Sequence, residues 1–194
     1  MMKKIILASG SPRRSEMLRN LDIDFTVIKS NADESGVNPE GIPVSVYVQE
    51  LALLKAMEVY GRVSAEDALI IGADTVVAID GEILGKPADE ADAFRMLKSL
   101  SGKTHQVYTG ICVVRSDDGY SVCQNECTDV TFAELTDDEI NEYIHTKEYE
   151  DKAGSYGIQG KGSLLVEKIS GDYFNVVGLP VRKLVKLMKE EFNF

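Results

Sequence analysis

The stretch that most restricts the fold is a continuous apolar run at residues 68–73, ALIIGA. Such a run is typical of a central strand that is buried on both faces of a sheet. Asp74 and Thr75 follow it, and apolar residues resume at positions 76–79. We predict that the strand ends at Asp74, where ligands commonly bind in α/β sheets. A carboxylate is costly to bury there unless it meets a hydrogen bond, a cation or solvent, so Asp74 is a candidate functional residue.

The beginning of the chain predicts a strand, a tight turn and a helix. Apolar residues lie at positions 5–8, Ser11 is a favourable N-cap, and Pro12 suits the first helical position. Arg13 and Arg14 then add positive charge to a helix end that is already positive. That is unfavourable unless an anion binds, and helix N-termini bind phosphate readily. A solvated arginine pair is the alternative, but the small residues of the turn favour a ligand.

The rest of the chain alternates between strand and helix patterns. We predict further strands at residues 25–28, 106–115, 120–132 and 163–169. Pro43 opens a helix that ends before Gly61, with a stripe that includes Val44, Tyr47, Val48, Leu51 and Leu54. Local signals predict a hairpin at Asp80-Gly81, a helix capped by Asp89, a capping box at Thr136 and a closing helix from Val181. No linker or repeat interrupts residues 1–194, which we interpret as a single α/β domain.

Composition excludes some classes of function. The formal net charge of −11 disfavours binding to nucleic-acid polymers and to acidic membrane surfaces. No stretch is long enough to span a membrane and no signal peptide is recognisable, so we expect a cytoplasmic protein. Cys112, Cys123 and Cys127 lie in or beside apolar strands, and we expect buried free thiols in a reducing compartment.

Cations and carboxylates recur at the predicted strand ends and loops. The cations are Arg13, Arg14, Lys55 and Lys86, and the carboxylates are Glu34 and Asp74. Lys55 either reaches the surface or points toward an anion, and Asp33 could replace Glu34 in the poorly defined loop that follows Ser30. A polyphosphate with a divalent metal needs this mixture of charges. The residues therefore indicate a phosphate-handling enzyme that depends on a metal.

A glycine-rich loop at residues 151–162 carries the last candidate residue. So many glycines weaken a fold unless the backbone bends sharply or approaches a ligand. The loop lacks the spacing of a P-loop, so its glycine content alone is weak evidence. Gln159 could recognise a base edge, because its amide both donates and accepts hydrogen bonds.

Taken together, these segments resemble the Maf family of nucleotide pyrophosphatases. The resemblance rests on four ordered motifs and a late VGLP at 177–180: ASGSPRR at 8–14, GADTV at 72–76, GKP at 85–87 and DKAGSYGIQG at 151–160. It implies an elongated mixed sheet flanked by helices, with two lobes around a deep cleft, related to the inosine-triphosphate pyrophosphatases. It also implies hydrolysis of nucleoside triphosphates to monophosphate and pyrophosphate, with Mg²⁺ or Mn²⁺ and in a nucleotide-pool house-cleaning role.

The resemblance also implies roles for individual residues. Asp74 matches the proton acceptor, and the carboxylates of Asp74 and Glu34 would hold the metal. Thr75 and Gln159 resemble the subgroup that acts on dTTP and UTP. The matched substrate-binding positions are Ser9, Arg13, Arg14, Lys55, Thr75, Lys86 and Gln159. A non-catalytic nucleotide-binding regulator of septum formation is the alternative function, and the family leaves a homodimer open.

Overall fold

The computed structural model describes residues 3–63 and 67–194. The strands are β1 Lys4–Leu7, β2 Phe25–Val27, β3 Ala68–Ile79, β4 Glu82–Leu84, β5 Thr104–Arg115, β6 Ser121–Phe132 and β7 Val166–Ser170. The α-helices are α1 Pro12–Arg19, α2 Val44–Arg62, α3 Glu90–Leu100, α4 Asp137–His145, α5 Tyr173–Val177 and α6 Val181–Phe192. Short 3₁₀ turns occur at Glu34–Gly36, Ala153–Ser155 and Gly160–Leu165.

The strands form one mixed sheet in the order β2-β1-β3-β5-β6-β7, with β4 paired to β3. β1 pairs in parallel with both β2 and β3. Parallel neighbours need long crossover connections, which α1 and α2 provide. β4 and β7 are antiparallel to their partners. The predicted α/β class with a mixed sheet and flanking helices is confirmed.

The chain divides into two compact units. Unit 1 comprises residues 1–74, 109–126 and 178–194, and unit 2 comprises residues 75–108 and 127–177. The core of unit 1 packs β1, the first half of β3 and α2 around small side chains that include Ala52 and Ala56. The core of unit 2 packs α3 and α4 against the sheet around larger side chains such as Phe132 and Tyr156.

Two strand glycines bring α2 close to the sheet in unit 1. A Cβ on Gly72 would lie 2.1 Å from the carbonyl oxygen of Ala52, and one on Gly110 would lie 2.1 Å from that of Val48. Glycine in a strand often marks such a close approach of another backbone. The buried face of α2 therefore runs through Val48, Leu51, Ala52, Ala56 and Val59, so the predicted stripe is wrong at Val44, Tyr47 and Leu54, which are only partly buried.

Local sequence signals predicted several turns and caps correctly. Asp80 and Gly81 form the hairpin turn with positive φ angles of 52° and 84°, as expected for a turn that matches strand twist. Asp89 caps α3 by accepting a hydrogen bond from the Asp92 N–H. Thr136 and Glu139 form the complete capping box of α4.

Some predicted boundaries are wrong. β3 continues through Asp74 to Ile79 instead of ending at the aspartate, because the apolar residues after it extend the same strand. α2 runs past Gly61 to Arg62. β7 begins at Val166, because the preceding residues form a 3₁₀ turn. Helix α5 was not predicted, since five residues are too few for a helical repeat to be recognised.

Two expectations from composition have different outcomes. Cys112 and Cys123 form a disulfide between the adjacent strands β5 and β6, with Cα atoms 4.1 Å apart, so the prediction of free thiols is wrong for this pair. Cys127 lies outside the disulfide and is exposed instead of buried. Among the residues that the structure describes, no helix has the length and apolar character needed to cross a membrane.

Candidate active site

The centre of the candidate site is an ion-paired group in unit 1. The ammonium group of Lys55 donates a hydrogen bond of 2.5 Å to Oδ1 of Asp74 and lies 3.1 Å from Oε1 of Glu34. The side chains of Lys55 and Asp74 are only 15% and 14% exposed, whereas that of Glu34 is 49% exposed. The arrangement holds two carboxylates around one cation, and the more exposed carboxylate faces solvent.

Each member of this group is placed by a different element. Asp74 is carried by β3 and Lys55 by α2, which the absence of a side chain at Gly72 allows to pack directly on the strand. Lys55 therefore does not extend to the surface, which was one of the two alternatives that the sequence left open for this side chain. Instead it neutralises the aspartate that interrupts an apolar strand, as burial of a carboxylate requires.

The loop before α2 distinguishes Glu34 from Asp33. The carboxylate of Asp33 accepts hydrogen bonds from the backbone N–H and the hydroxyl of Ser35, and so caps the short 3₁₀ turn. These hydrogen bonds lower the pKa of Asp33. The next residue, Glu34, points its carboxylate at Lys55. The sequence left both residues open, and the geometry favours Glu34.

Arg14 joins the turn that precedes α1 to Gly178, near the end of the chain. Its Nε donates a 2.8 Å hydrogen bond to the carbonyl of Gly178, and its Nη1 donates one of 3.1 Å to the Ser9 hydroxyl. The same hydroxyl accepts the Ser11 N–H. Burial lowers the pKa of Arg14, while the charges of Asp74 and Glu34 act in the opposite direction. Arg14 thus lies in the electrostatic field of the carboxylate pair.

Arg13 differs from its neighbour in its contacts. Ser11 is the N-cap of α1 as predicted, but its side chain makes no capping hydrogen bond, and no acidic residue lies in the first turn. Within residues 3–63 and 67–194, no hydrogen bond or ion pair engages Arg13. Its guanidinium is therefore the cation of this turn that remains available to an anion.

Tyr47 lies in the electrostatic field of the carboxylate pair, which the sequence did not predict. It was predicted as part of the apolar stripe of α2, but it is only partly buried. Burial raises the pKa of its hydroxyl, and the negative charges of Asp74 and Glu34 raise it further. Its phenol therefore stays protonated and lies within the field of the carboxylates. No local pattern distinguishes such a tyrosine from a core residue.

The remaining predicted residues belong to unit 2. Lys86 is 67% exposed, and its ammonium lies 3.7 Å from Oδ1 of Asp151. Thr75 is partly buried in β3, directly after Asp74. Gln159 is exposed at the start of the 3₁₀ turn Gly160–Leu165. In the described part of the chain, its amide makes no hydrogen bond to protein, so both its donor and its acceptor remain available.

The glycine-rich loop that carries Gln159 is held by several hydrogen bonds and by ring packing. The Tyr156 hydroxyl is 2.8 Å from Nε2 of the buried His105, and the rings of Phe132 and Tyr156 pack edge to face. The Tyr143 hydroxyl accepts the Gly157 N–H. A Cβ on Gly162 would lie 1.9 Å from the Gly157 carbonyl oxygen, so this glycine is required by the folding of the loop onto itself.

Burial controls the protonation of the His105–Tyr156 pair. Burial lowers the pKa of His105 to about 4, although the charge of Asp129 opposes this shift. Burial also raises the pKa of the Tyr156 phenol. Both side chains are therefore neutral near pH 7, so this contact holds the loop without charge. Elsewhere in the loop, the Glu148 carboxylate accepts the Lys161 N–H. The sequence did not single out His105 or Tyr156, because they lie 51 positions apart.

The two carboxylates of the site fit a metal ion whose remaining ligands come from a bound phosphate compound. Among the described residues, no cluster of three or more His, Cys, Asp or Glu side chains is placed to hold an ion. The pair of Glu34 and Asp74 already surrounds one cation, the Lys55 ammonium. Mg²⁺ is commonly held by one or two carboxylates together with substrate phosphates, and this pair matches that pattern.

Comparisons with known proteins give a family model, curated relatives and a solved structure with a similar fold. The family model described as Maf-like protein matches residues 4–191. A dTTP/UTP pyrophosphatase of Thermoanaerobacter sp. (strain X514) is 53% identical over 190 residues, covering 98% of this chain and 97% of the relative. One from Clostridium novyi (strain NT) is 52% identical over 184 residues, covering 95% of each. The solved structure of the Staphylococcus aureus Ham1 protein shares the fold, with 18% identity, a TM-score of 0.50, and coverage of 68% of this chain and 72% of that one.

Proposed function

Because this chain belongs to the Maf family, we propose that it hydrolyses dTTP and UTP between the α and β phosphates. Water is consumed, and the nucleoside monophosphate and pyrophosphate are released. The observation that carries the proposal is the contact of Lys55 with both Asp74 and Glu34. Arg14 lies in the electrostatic field of these two carboxylates. A relative that is 53% identical over nearly the whole chain bears the name dTTP/UTP pyrophosphatase, which supports this pair of substrates.

In the proposed reaction, Asp74 accepts the proton of the attacking water. General bases typically contribute ~10²–10⁴ in rate. Its position in the middle of strand β3 gives the carboxylate a defined direction. Arg13 and Lys55 stabilise the charge of the transferring phosphate and of the leaving pyrophosphate. Arg14, already hydrogen-bonded to Gly178 and Ser9, holds the turn and adds positive potential.

For unit 2 we propose roles in substrate choice. Gln159 offers both a donor and an acceptor, which suits the ring N–H and carbonyl of thymine or uracil. Thr75 contributes to the same selection, and Lys86 contributes a cation for phosphate. We treat residues 1–194 as one functional domain in which these roles combine.

The proposal includes Mg²⁺ or Mn²⁺, held by Asp74 and Glu34 together with phosphate oxygens. When bound, such an ion supplies charge neutralisation to the polyphosphate. We also propose that the enzyme works in the cytoplasm, where nucleoside triphosphates are abundant. A homodimer stays a prediction.

The test is a product analysis with the purified protein. A panel of ribo- and deoxyribonucleoside triphosphates is incubated with Mg²⁺ or Mn²⁺, and the products are separated by ion-exchange chromatography. We expect dTTP and UTP to give monophosphate and pyrophosphate faster than purine nucleotides do. Release of diphosphate and orthophosphate would contradict the proposed bond, and tight binding without turnover of any nucleotide would favour the regulator.

A further inference from the structure

The contacts of Lys55 suggest that it has a second role besides phosphate binding. Its ammonium is 2.5 Å from Asp74 and 3.1 Å from Glu34, so both proposed metal ligands already neutralise a protein cation. Lys55 and Asp74 are largely shielded from solvent, which strengthens their attraction relative to a surface pair. The lysine therefore occupies the place of a counter-ion in the protein without nucleotide.

A divalent cation that binds these two carboxylates comes close to the Lys55 ammonium and shares its partners. Mg²⁺ and Mn²⁺ bind carboxylate oxygens directly, whereas the ammonium donates hydrogen bonds to the same Asp74 Oδ1 and faces the same Glu34 Oε1. Like charges at one site also repel each other. The ammonium therefore weakens metal binding at this pair for as long as it stays there.

We propose that Lys55 is an internal competitor of the divalent cation, so that the carboxylate pair binds metal weakly until a nucleotide is present. The flexible four-carbon stem of a lysine allows its charge to move between two anionic partners. The phosphates of the nucleotide attract the ammonium away from Asp74 and supply further oxygen ligands. This inference rests on the proposed function for the identity of the nucleotide, but not for the competition itself.

The competition predicts a specific order of assembly. The protein without nucleotide keeps Asp74 paired with the Lys55 ammonium, which prevents this aspartate from remaining as an unpaired buried charge. Metal and nucleotide then bind with positive coupling, because the nucleotide removes the competitor. A metal ion that binds without nucleotide must compete with the Lys55 ammonium.

The test measures Mn²⁺ binding without nucleotide, by the loss of the electron paramagnetic resonance signal of free Mn²⁺. Wild type is compared with Lys55→Met, which keeps the length of the side chain and removes the charge. We expect Lys55→Met to bind Mn²⁺ roughly tenfold more tightly, or better, as is typical of coupling between two competing ligands. Lys186→Met is the matched control, because it removes one exposed lysine of the same unit and the same net charge.

Further variants separate the competition from its alternatives. Adding Asp74→Asn to Lys55→Met should abolish the gain, since the ligand itself is then lost. Circular dichroism monitors the fold, and Lys55→Gln replaces Lys55→Met if the latter does not fold. Equal Mn²⁺ affinity of wild type and a folded Lys55 variant, or an equal gain in Lys186→Met, would overturn the inference.

The binding measurement is independent of turnover. A protein that releases no pyrophosphate, but gains Mn²⁺ affinity in Lys55→Met, would contradict the proposed reaction and support the competition. A protein that hydrolyses dTTP normally, but shows no gain, would support the reaction and contradict the competition. In wild type, a non-hydrolysable dTTP analogue should increase Mn²⁺ affinity more than it does in Lys55→Met.

Discussion

Asp74 in unit 1 and Gln159 in unit 2 are held in opposite ways. In unit 1, Lys55, Asp74 and Glu34 are joined by charge, and Arg14 lies within their field. In unit 2, Gln159 is exposed on a loop that is anchored by the neutral His105–Tyr156 contact. Charged contacts hold Lys55, Asp74 and Glu34, whereas Gln159 keeps its hydrogen-bonding groups available.

This difference has a physical reason. A transferring phosphate develops charge in a defined place, and protein charges held near that place stabilise it. A base edge is neutral and is recognised by hydrogen bonds, which are most selective when the protein groups are not already paired. The comparison predicts that changes in unit 1 reduce turnover for every nucleotide, while changes at Gln159 alter the preference among nucleotides.

The largest expected effect concerns the packing of α2 against strand β3 at Gly72 in unit 1. Gly72→Ala would place a Cβ 2.1 Å from the Ala52 carbonyl oxygen, so the helix or the strand must move. We expect the free energy of unfolding to fall by about 3 kcal/mol or more, as for severe overpacking. Urea denaturation followed by circular dichroism measures this change. The helix that carries Lys55 would be displaced, so turnover should fall as well.

Gly61→Ala is the control for this change, because the same helix has open space around Gly61. In a helix, alanine is favoured over glycine by up to ~1 kcal/mol, so this variant should be slightly more stable than wild type. Equal stability of the two variants would show that α2 does not rest on Gly72.

The next effect concerns the neutral anchor of unit 2 and appears as a pH dependence. The native pKa of His105 is about 4, below its ordinary value of 6.5, so between these values the unfolded chain binds the proton more readily. The contribution of His105 is therefore complete above pH 6.5 and is lost as the pH falls toward 4. The difference corresponds to about 3 kcal/mol.

Urea denaturation at pH 7 and pH 4 tests this linkage. His105→Gln should lose less stability over this interval than wild type, by about 3 kcal/mol. His145→Gln, which changes an exposed histidine of the same unit, is the matched control. An unchanged pH dependence in His105→Gln would show that the histidine is not held neutral by burial.

The smallest effect concerns selectivity. Gln159→Ala should lower kcat/KM for dTTP roughly tenfold, as expected for a lost pair of hydrogen bonds, and should affect dATP less. Lys161→Ala changes another exposed residue of the same loop and should preserve the preference. If Gln159→Ala lowers kcat/KM equally for all nucleotides, the division of roles between the units is wrong.

The sequence was most informative where the cause of a structure is local. The Asp80-Gly81 turn and the Thr136–Glu139 capping box depend on neighbouring residues alone, and both were predicted correctly. The charged residues of unit 1 were also recognisable, because a carboxylate in an apolar strand and two arginines at a helix start are unusual. Their individual roles stay predictions.

The sequence was least informative where the cause lies far along the chain. Arg14 bonds to Gly178 across 164 positions, and Cys112 pairs with Cys123 only because β5 and β6 are adjacent. The buried face of α2 is set by glycines on two strands, which a helical periodicity does not reveal. The signal for this close packing in the sequence is the pair of glycines, Gly72 and Gly110, within two predicted strands.

The most direct test of the account is the turnover of dTTP and dATP by wild type and Asp74→Asn, with pyrophosphate release as the readout. We predict that kcat falls ~10²–10⁴-fold for both nucleotides, that the preference between them is unchanged, and that the fold is retained. Turnover close to wild type in a folded Asp74→Asn protein would contradict the assignment of the chemistry to the Lys55–Asp74–Glu34 group.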